Sequence, residues 1–375
     1  MISILFICIS LAYVFLIGAF ILGFDKLKTL PIEETDAKTS FSVIIPFRNE
    51  AENLAALLNS IEALDYQKDL MEVILVNDAS EDASLTILEK FLKETSVQIK
   101  VIDNIRKSNS PKKDAINAAM KIAKHQWIVT TDADCILPKY WLHSFDAFIQ
   151  RNDTQFIIAP VTYHSINTFF KRFQLLDFLS LQGATIGGFG IHQAFLCNGA
   201  NLAYKKDFFE TANGFAGNND IASGDDIFML EKAHNLAPEK VHYLKCQEAI
   251  VSTKPVDNVS HLISQRVRWA SKTTNYKNSF AKIVGLLVLL MNASVICMLL
   301  LSFAEALSFQ LFLFLFICKC FIDYILLFKT LRFFNQKHHL TAYFFSCFLY
   351  PLFSVYIVFV SVFGKYKWKG RVFSK

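Results

Sequence analysis

The chain has 375 residues, of which 53% are hydrophobic and 14% aromatic, and its formal net charge is +5. Soluble globular domains average about 45–50% apolar residues, so this composition favours a membrane protein. The modest charge and the lack of a basic-aromatic RNA motif argue against a nucleic-acid partner.

Four apolar stretches lie towards the ends of the chain, at residues 2–24, 283–304, 307–328 and 342–364. Each is long enough to span a bilayer as a helix, which takes about 20 residues. The first has no basic n-region and no small-residue cleavage site, so residues 1–24 are predicted to be a retained transmembrane anchor. We expect two or three transmembrane helices within residues 283–364, followed by a basic tail at 365–375.

Residues 25–282 are predicted to form one cytosolic domain. Lysine and arginine residues flank the apolar stretches on this side, as the positive-inside tendency requires. Eight scattered cysteines without metal spacing favour reduced thiols. Three C-terminal crossings would place the basic tail outside, against that tendency, so the side of the tail stays open. Lys319 and Asp323 are costly inside a bilayer, which makes the third stretch the least secure spanning helix.

The central region alternates strands and helices. Short apolar strands are predicted at 41–46, 73–76 and 97–102, and a further strand leads into Asp132. Helices fall between them; the first shows the spacing typical of a helix at Leu54, Leu57, Leu58 and Ile61. This alternation predicts an α/β fold with a parallel sheet covered on both faces. Ligands of such sheets bind at the carboxyl ends of the strands.

Acidic residues occur at these predicted strand ends. Asp78 follows the second strand, and Asp132 and Asp134 follow the fourth. Side chains alternate along a strand, so we expect both carboxylates of Asp132-Ala133-Asp134 on one edge, where a divalent cation could lie between them. The alternatives are a polar strand end and, for Asp78, a turn residue that caps the next helix. Residues 183–190, which are rich in glycine, are predicted to form a flexible loop rather than a helix-packing motif.

The chain resembles the membrane-bound family 2 glycosyltransferases with the GT-A fold. Six segments carry the resemblance in the order of the family: 42–50, 76–82, 112–117, Asp132-Ala133-Asp134, Gly224-Asp225-Asp226 and Gln265-Arg266-Val267-Arg268-Trp269. The resemblance implies a GT-A fold, which is Rossmann-like with a mostly parallel sheet and helices on both faces. Transmembrane helices would lie at both ends.

The resemblance also implies residue roles for the donor. Asp78 would contact the base of a nucleotide-sugar, and Lys112 and Lys113 would bind phosphate at a helix start. Asp132 would contact the ribose and share with Asp134 a Mg²⁺ or Mn²⁺ ion that neutralises the diphosphate. A solvated basic pair is the alternative for the two lysines. A UDP-sugar is favoured over a GDP-sugar.

Two further segments are assigned by the same resemblance. Asp226 would be the general base, which implies inversion at the anomeric carbon, and Asp225 would contact the acceptor. Many relatives have Thr or Ser followed by Glu-Asp here, so this sequence departs from the family pattern at Asp225. Gln265 and Arg268 would hold the donor diphosphate, and Trp269 would wall the acceptor site. Acids at a helix N-cap and an interfacial Trp/Arg belt are the alternatives. The segment Cys197-Asn198-Gly199-Ala200-Asn201 also resembles, less specifically, a family segment that lies beside the donor sugar.

The sequence therefore predicts an inverting, metal-dependent glycosyltransferase on the cytosolic face of a membrane, most simply the bacterial inner membrane. A lipid or glycan acceptor suits that location. A processive polysaccharide synthase is the main alternative, because Gln-x-x-Arg-Trp is prominent in those enzymes. A membrane receptor with a nucleotide-binding domain would bind a donor without turnover.

Overall fold

The structure, a computed structural model, describes residues 2–31, 36–218, 221, 223–363, 366–368 and 371–373. The strands in chain order are β1 (Phe41–Phe47), β2 (Met71–Asn77), β3 (Ile99–Asp103), β4 (Trp127–Thr130), β5 (Phe156–Ile158), β6 (Val161–Tyr163), β7 (Leu202–Lys205), β8 (Val241–Tyr243), β9 (Val251–Thr253), β10 (Tyr366–Trp368) and β11 (Arg371–Phe373).

The helices in chain order are α1 (Ile2–Lys26), α2 (Ala51–Glu62), α3 (Ser84–Phe91), α4 (Pro111–Ile122), α5 (Trp141–Arg151), α6 (Phe169–Gly190), α7 (Lys206–Thr211), α8 (Asp225–Leu236), α9 (Val259–Ala270), α10 (Ser279–Phe303), α11 (Phe309–Phe333) and α12 (Tyr343–Phe363). Short 3-10 helices lie at Lys68–Leu70, Pro238–Lys240, Gln247–Ala249, Thr273–Asn275 and Lys337–Ala342.

The chain divides into two compact units. The sheet unit comprises Lys28–His164 and Leu196–Lys254, and the helical unit comprises Met1–Leu27, Ser165–Phe195 and Pro255–Lys375. Helices α6 and α9 belong to the same unit as the long apolar helices. The predicted cytosolic domain at residues 25–282 stays a prediction.

The sheet unit is built around a mostly parallel sheet with strand order β3-β2-β1-β4-β7-β5-β8. Strands β1 to β4 are parallel, and β7 runs antiparallel between β4 and β5. Val43 of β1 lies opposite Val73 of β2 and Val129 of β4, and all three side chains are fully buried. Continuous apolar strands of this kind are expected where helices cover both faces. The predicted α/β class with a GT-A-like sheet is confirmed.

Helix α2 shows how the sheet is covered. Its side chains at Leu54, Leu57, Leu58 and Ile61 are buried, as their spacing predicts. Full burial of a leucine side chain contributes roughly 1.5–3 kcal/mol relative to exposure. Helix α4 begins with Pro111 at its first turn, where a missing backbone N–H costs nothing.

The paired aspartates lie in a turn and not on a strand. Strand β4 ends at Thr130, and the backbone N–H of Cys135 donates to the carbonyl of Asp132 at 3.2 Å. The prediction that strand alternation orients Asp132 and Asp134 was therefore wrong. The turn sets the directions of their side chains, at the carboxyl end of β4.

The helical unit contains the apolar helices. Within the described residues, four helical segments are long and apolar enough to cross a membrane: Ile2–Lys26, Ser279–Phe303, Phe309–Phe333 and Lys337–Val362. Helix α11 carries an ion pair between Lys319 and Asp323 at 2.9 Å, and Tyr13 of α1 donates to Asp323 at 2.8 Å. The charges that made this stretch doubtful are thus paired inside the unit. The predicted basic tail at 365–375 is described only as the backbone of β10 and β11, and its remaining residues lie outside the described ranges.

The glycine-rich run is a helix, which corrects the predicted flexible loop. Gly183, Gly187 and Gly190 lie in α6. A Cβ at Gly187 would meet the carbonyl oxygen of Phe20 at 2.4 Å, and one at Gly190 would meet that of Gly23 at 1.8 Å. Glycine at these positions lets α1 and α6 pack at backbone contact, as small residues do between membrane helices.

Candidate active site

The carboxyl end of β2 is marked by Asp78, which is 7% exposed. Its Oδ1 atom accepts hydrogen bonds from Arg106 Nε at 2.6 Å and Asn104 Nδ2 at 2.8 Å. The Asp78 carbonyl accepts from Arg48 Nη1 at 2.7 Å and from Arg106 Nη2 at 3.1 Å. Two guanidinium groups thus fix the position of this residue and leave its carboxylate at the sheet edge where ligands bind in such folds.

Two neighbouring loops are tied together beside Asp78. The backbone N–H of Asn49 donates to Ser80 Oγ at 3.1 Å, and that of Glu81 donates to Asn49 Oδ1 at 2.8 Å. Asn49 and Ala79 have φ of 52° and 55°, in the left-handed region that costs a non-glycine residue free energy. The bonds across the loops offset that cost.

Helix α4 brings Lys112 to the carboxyl end of β4. Its Nζ atom lies 2.6 Å from Asp132 Oδ1 and 3.1 Å from Asp225 Oδ2. Burial disfavours the ammonium, but the charges of Asp132, Asp225 and Asp226 outweigh burial, so the pKa of Lys112 is raised. Lys112 therefore stays charged and joins carboxylates from two distant motifs.

The neighbouring Lys113 has a different environment. Its side chain is fully buried and donates to the carbonyls of Asn218 at 2.6 Å and Ile221 at 3.0 Å. The ammonium also lies 5.2 Å from the centre of the Phe228 ring. These contacts tie α4 to the segment before α8. A donor contact by Lys113 stays a prediction, and it would compete with these bonds.

Asp132 and Asp134 are the predicted metal ligands, and both are half-buried. Among the described residues, no group of three or more His, Cys, Asp or Glu side chains is arranged to hold a metal ion. Mg²⁺ is commonly bound through one or two carboxylates together with substrate phosphates and water. Two aspartates at a sheet edge fit that mode, in which the substrate completes the coordination.

Helix α8 begins with the two other predicted acids. Gly224 is its N-cap residue, with φ of 87°, so Asp225 and Asp226 are the first helical residues rather than the cap. Asp226 Oδ1 accepts from the backbone N–H of Ile227 at 2.8 Å, and its Oδ2 accepts from that of Gly199 at 3.2 Å. Acidic side chains in a first turn are also favoured by the helix dipole.

Gly199 sits where these groups converge. A Cβ at this position would lie 3.0 Å from Asp225 Oδ2, 3.3 Å from Lys112 Nζ and 3.4 Å from Asp226 Cβ. The Gly199 carbonyl accepts from Thr130 Oγ1 at 3.3 Å. Glycine therefore allows the backbone beside β7 to approach the acidic cluster, which we define as Lys112, Asp132, Asp225 and Asp226.

The remaining predicted residues lie on α9 in the helical unit. The helix is capped by Asn258, whose side chain accepts from the backbone N–H of His261 at 2.8 Å. Gln265 Oε1 accepts from Arg266 Nη1 at 2.5 Å. The Arg266 guanidinium lies 4.2 Å from the centre of the Trp269 ring. Arg268 is half-buried. The donor roles of Gln265 and Arg268 and the acceptor role of Trp269 stay predictions.

Sequence reasoning missed Arg48, Asn104 and Arg106, which hold Asp78. Asn104 and Arg106 follow β3 at the same sheet edge, so the rule that selected Asp78 could have found them. No local sequence pattern predicts the contact of Arg48 with the carbonyl of Asp78, which lies on the next loop.

Comparisons with known proteins agree with this architecture. Residues 42–212 match the family described as Glycosyl transferase family 2. The poly(ribitol-phosphate) beta-N-acetylglucosaminyltransferase TarS of Staphylococcus aureus is 30% identical over 121 residues, which cover 32% of this chain and 21% of TarS. The glycosyltransferase AglE of Haloferax volcanii is 25% identical over 195 residues, which cover 51% of this chain and 60% of AglE. The chain thus spans less than two thirds of the length of either relative.

Among solved structures, the mannosyltransferase PcManGT of Pyrobaculum calidifontis, determined with GDP-Man and Mn²⁺, has a TM-score of 0.58 at 16% identity. The superposition covers 93% of this chain and 99% of PcManGT, which shows a shared fold. Residues 42–212 are thus similar to glycosyl transferase family 2, and the chain shares its fold with a solved glycosyltransferase structure.

Proposed function

We propose that this chain is an inverting, metal-dependent glycosyltransferase that moves a sugar from a nucleotide-sugar to a membrane-associated acceptor. The observation that carries the proposal is the acidic cluster. Lys112 joins Asp132, which follows β4, to Asp225, which opens α8. Packing alone gives little reason to gather acids from separate motifs at the edge of a sheet.

The donor would lie along this edge. Asp78, held by Asn104 and Arg106, would accept a hydrogen bond from the base, for which uracil is favoured. Lys112 would exchange one of its carboxylate partners for the diphosphate. A Mg²⁺ or Mn²⁺ ion on Asp132 and Asp134 would supply positive charge that stabilises the departing nucleoside diphosphate. PcManGT, whose structure was determined with Mn²⁺ and GDP-Man, supports donor and metal of this class.

Asp226 would act as the general base. The acceptor oxygen forms a bond to the anomeric carbon while the bond from that carbon to the diphosphate oxygen breaks. The proton of the acceptor hydroxyl passes to the Asp226 carboxylate, and the electron pair of the broken bond leaves with the nucleoside diphosphate. Hydrogen bonds from Gly199 and Ile227 would hold this carboxylate in one orientation. A single displacement inverts the anomeric configuration.

Residues of α9 would bind the diphosphate and the acceptor. Gln265 and Arg268 would contact the diphosphate, and Trp269 would wall the acceptor. The four apolar helices support an integral membrane protein. Because nucleotide-sugars are made in the cytosol, we propose that the catalytic domain faces the cytosol, and that the acceptor is a lipid or glycan at a bacterial inner membrane.

A processive polysaccharide synthase is the second candidate, favoured by Gln265-Arg266-Val267-Arg268-Trp269. The two candidates differ in product. A single transfer adds one sugar mass to a lipid that extracts into organic solvent, whereas a synthase gives a ladder of increments or a hydrophilic polymer.

One incubation tests the proposal. Purified full-length protein is mixed with a panel of UDP- and GDP-sugars, Mg²⁺ or Mn²⁺ and membrane lipid extract, and the products are analysed by mass. We expect one donor to yield a lipid with a single sugar increment, and chelation to stop the reaction. A ladder would favour the synthase. Donor binding without any product would favour a receptor and contradict the proposal.

A further inference from the structure

A buried ion pair links α6 to α9 within the helical unit. Arg266 Nε lies 2.5 Å from Asp177 Oδ2, and the two residues are 5% and 7% exposed. The free energy lost when two charges are removed from water is about as large as the free energy gained from their attraction, so buried ion pairs are weak stabilisers. Their better attested use is to specify one geometry, which directs attention to what else Arg266 contacts.

Arg266 contacts the first and the last residue of the predicted motif. Its Nη1 atom donates to Gln265 Oε1 at 2.5 Å, and its guanidinium plane lies 4.2 Å from the centre of the Trp269 ring. The Trp269 ring also lies beside Phe178 on α6, with ring centres 6.1 Å apart. One side chain thus contacts a predicted donor residue and a predicted acceptor residue at once.

We propose that Arg266, anchored by Asp177, is a positioning residue that fixes the orientations of the Gln265 and Trp269 side chains. The inference rests on the proposed function for the roles of those two residues. It assigns no contact with substrate to Arg266 itself. For this role the planar shape of the Arg266 guanidinium matters in addition to its charge.

Arginine and lysine differ in the property that this role requires. A guanidinium presents donors in a rigid planar fork and stacks on aromatic rings. A guanidinium that pairs with Asp177 through one edge can still donate a hydrogen bond to Gln265 and lie over the Trp269 ring. An ammonium at the same place can keep the ion pair, but it has no plane to stack and no fork to share. Arg266→Lys therefore separates orientation from charge.

The attachment of α9 to α6 does not depend on this pair alone. Gln174 of α6 donates from Nε2 to the Val256 carbonyl at 2.9 Å, and the Val256 N–H donates to Gln174 Oε1 at 3.1 Å. Lys171 of α6 also forms an ion pair with Asp257 at 2.9 Å. These contacts lie just before α9 and should keep it in place when Arg266 is changed.

The test compares Arg266→Lys with Lys171→Gln, a control that removes the ion pair between α6 and Asp257, just before α9. In Arg266→Lys we expect kcat/KM for sugar transfer to fall about tenfold or more, because small misplacements of substrate contacts are costly. The KM values for donor and acceptor should rise while the thermal midpoint stays near that of the wild type. Lys171→Gln should retain activity. Arg266→Lys with activity within twofold of wild type would overturn the inference, as would a loss of activity that only follows a loss of stability.

A second readout does not require transfer. The fluorescence of Trp269 is obtained as the difference between wild type and Trp269→Phe, and again in the Arg266→Lys background. We expect acrylamide to quench Trp269 more strongly in Arg266→Lys, because the guanidinium no longer covers the ring. Unchanged quenching would overturn the inference even if transfer is affected. If no donor is turned over by the wild type, the proposed function fails, but the quenching result still decides whether Arg266 orients Trp269.

Discussion

Strand β2 carries an acidic residue at each end, and the two have different surroundings. Glu72 near its start is 1% exposed, and its Oε1 accepts from Ser42 Oγ at 2.7 Å and from the backbone N–H of Lys124 at 2.6 Å. Asp78 just after its end is held through the side chain of Arg106, which is 39% exposed. Glu72 also has a partner that solvent reaches, because its Oε2 lies 3.2 Å from Lys100 Nζ, whose side chain is 41% exposed. Glu72 differs from Asp78 in its bond to the fully buried hydroxyl of Ser42.

The same contrast extends along the sheet. At the carboxyl end, the acidic cluster is joined by side-chain ion pairs, and Lys112 and Asp132 keep 19% and 38% of their side chains exposed. Such partners can be exchanged for the phosphates of a ligand. Glu72 cannot release its bonds to Ser42 and to the backbone N–H of Lys124 without opening the interior. Substitutions at the amino end should therefore lower stability, and those at the carboxyl end should lower activity.

The largest effect is expected for Asp226→Asn. Asparagine keeps the size and can still accept from Gly199 and Ile227, but it cannot take the proton of the acceptor. A general base contributes about 10²–10⁴-fold to the rate. We expect turnover to fall by that factor while donor affinity, measured by calorimetry, is retained.

Asp207 supplies a matched control for that substitution. It also lies in the first turn of a helix, and its Oδ1 accepts from the backbone N–H of the next residue, Phe208, at 2.7 Å. Asp207→Asn should leave turnover unchanged. If Asp226→Asn stays within a fewfold of wild type as well, Asp226 has only the role of a helix-start acid.

A smaller effect is expected for Asp134→Ala. Loss of one of two carboxylate ligands should weaken metal-dependent UDP binding by at least about 10–100-fold, the range seen when even outer partners of metal ligands are changed. Calorimetry of UDP with and without Mn²⁺ measures this directly, with the exposed Asp153→Ala as control. Equal affinities for wild type and Asp134→Ala would remove Asp134 from the site.

At the other end of the sheet, Glu72→Gln should reduce stability by roughly 1–3 kcal/mol, the cost of weakening buried hydrogen bonds. Burial opposes ionisation of Glu72, but the bonds from Lys124 and Ser42 and the nearby Lys100 outweigh it, so its pKa is lowered. A lowered folded-state pKa gives stability that is complete above the unfolded value of about 4.3 and is lost as the pH falls through the folded value. Acid unfolding curves should show this contribution in wild type and lack it in Glu72→Gln.

The smallest effect is expected for Gly199→Ala. The added Cβ would lie 3.0 Å from Asp225 Oδ2 and 3.3 Å from Lys112 Nζ, so the acidic cluster must shift by a few tenths of an ångström. We expect a fewfold loss of turnover at unchanged thermal stability. The control is Gly285→Ala, where a Cβ meets nothing within 4 Å. Unaltered kinetics in Gly199→Ala would mean that the cluster tolerates displacement.

Much of the sheet unit could be predicted because its signals are local. The apolar run of β2 and the spacing of Leu54, Leu57 and Leu58 report burial within a few residues. The position of Asp78 at a strand end followed from the same pattern. By contrast, the strand assigned to Asp132 and Asp134 was too long, because a turn after Thr130 has no apolar signature of its own.

Contacts between distant segments could not be predicted in this way. The meeting of Lys112 with Asp225 depends on how α4 and α8 approach each other, and no periodicity encodes that approach. The glycines of α6 were assigned to a loop because glycine is a poor helix former in isolation. Glycine is needed at these positions because the backbone of α1 at Phe20 and Gly23 leaves no room for a Cβ on α6.

The contrast between the two ends of the sheet is tested most directly by measuring sugar transfer and thermal unfolding of Asp226→Asn and Glu72→Gln in parallel with wild type. The account predicts that Asp226→Asn loses turnover and keeps its thermal midpoint. It predicts that Glu72→Gln keeps turnover and unfolds several degrees lower, at about 2–4 °C per kcal/mol. Activity and stability that fall together in both variants would contradict a division between a functional and a structural end of the sheet.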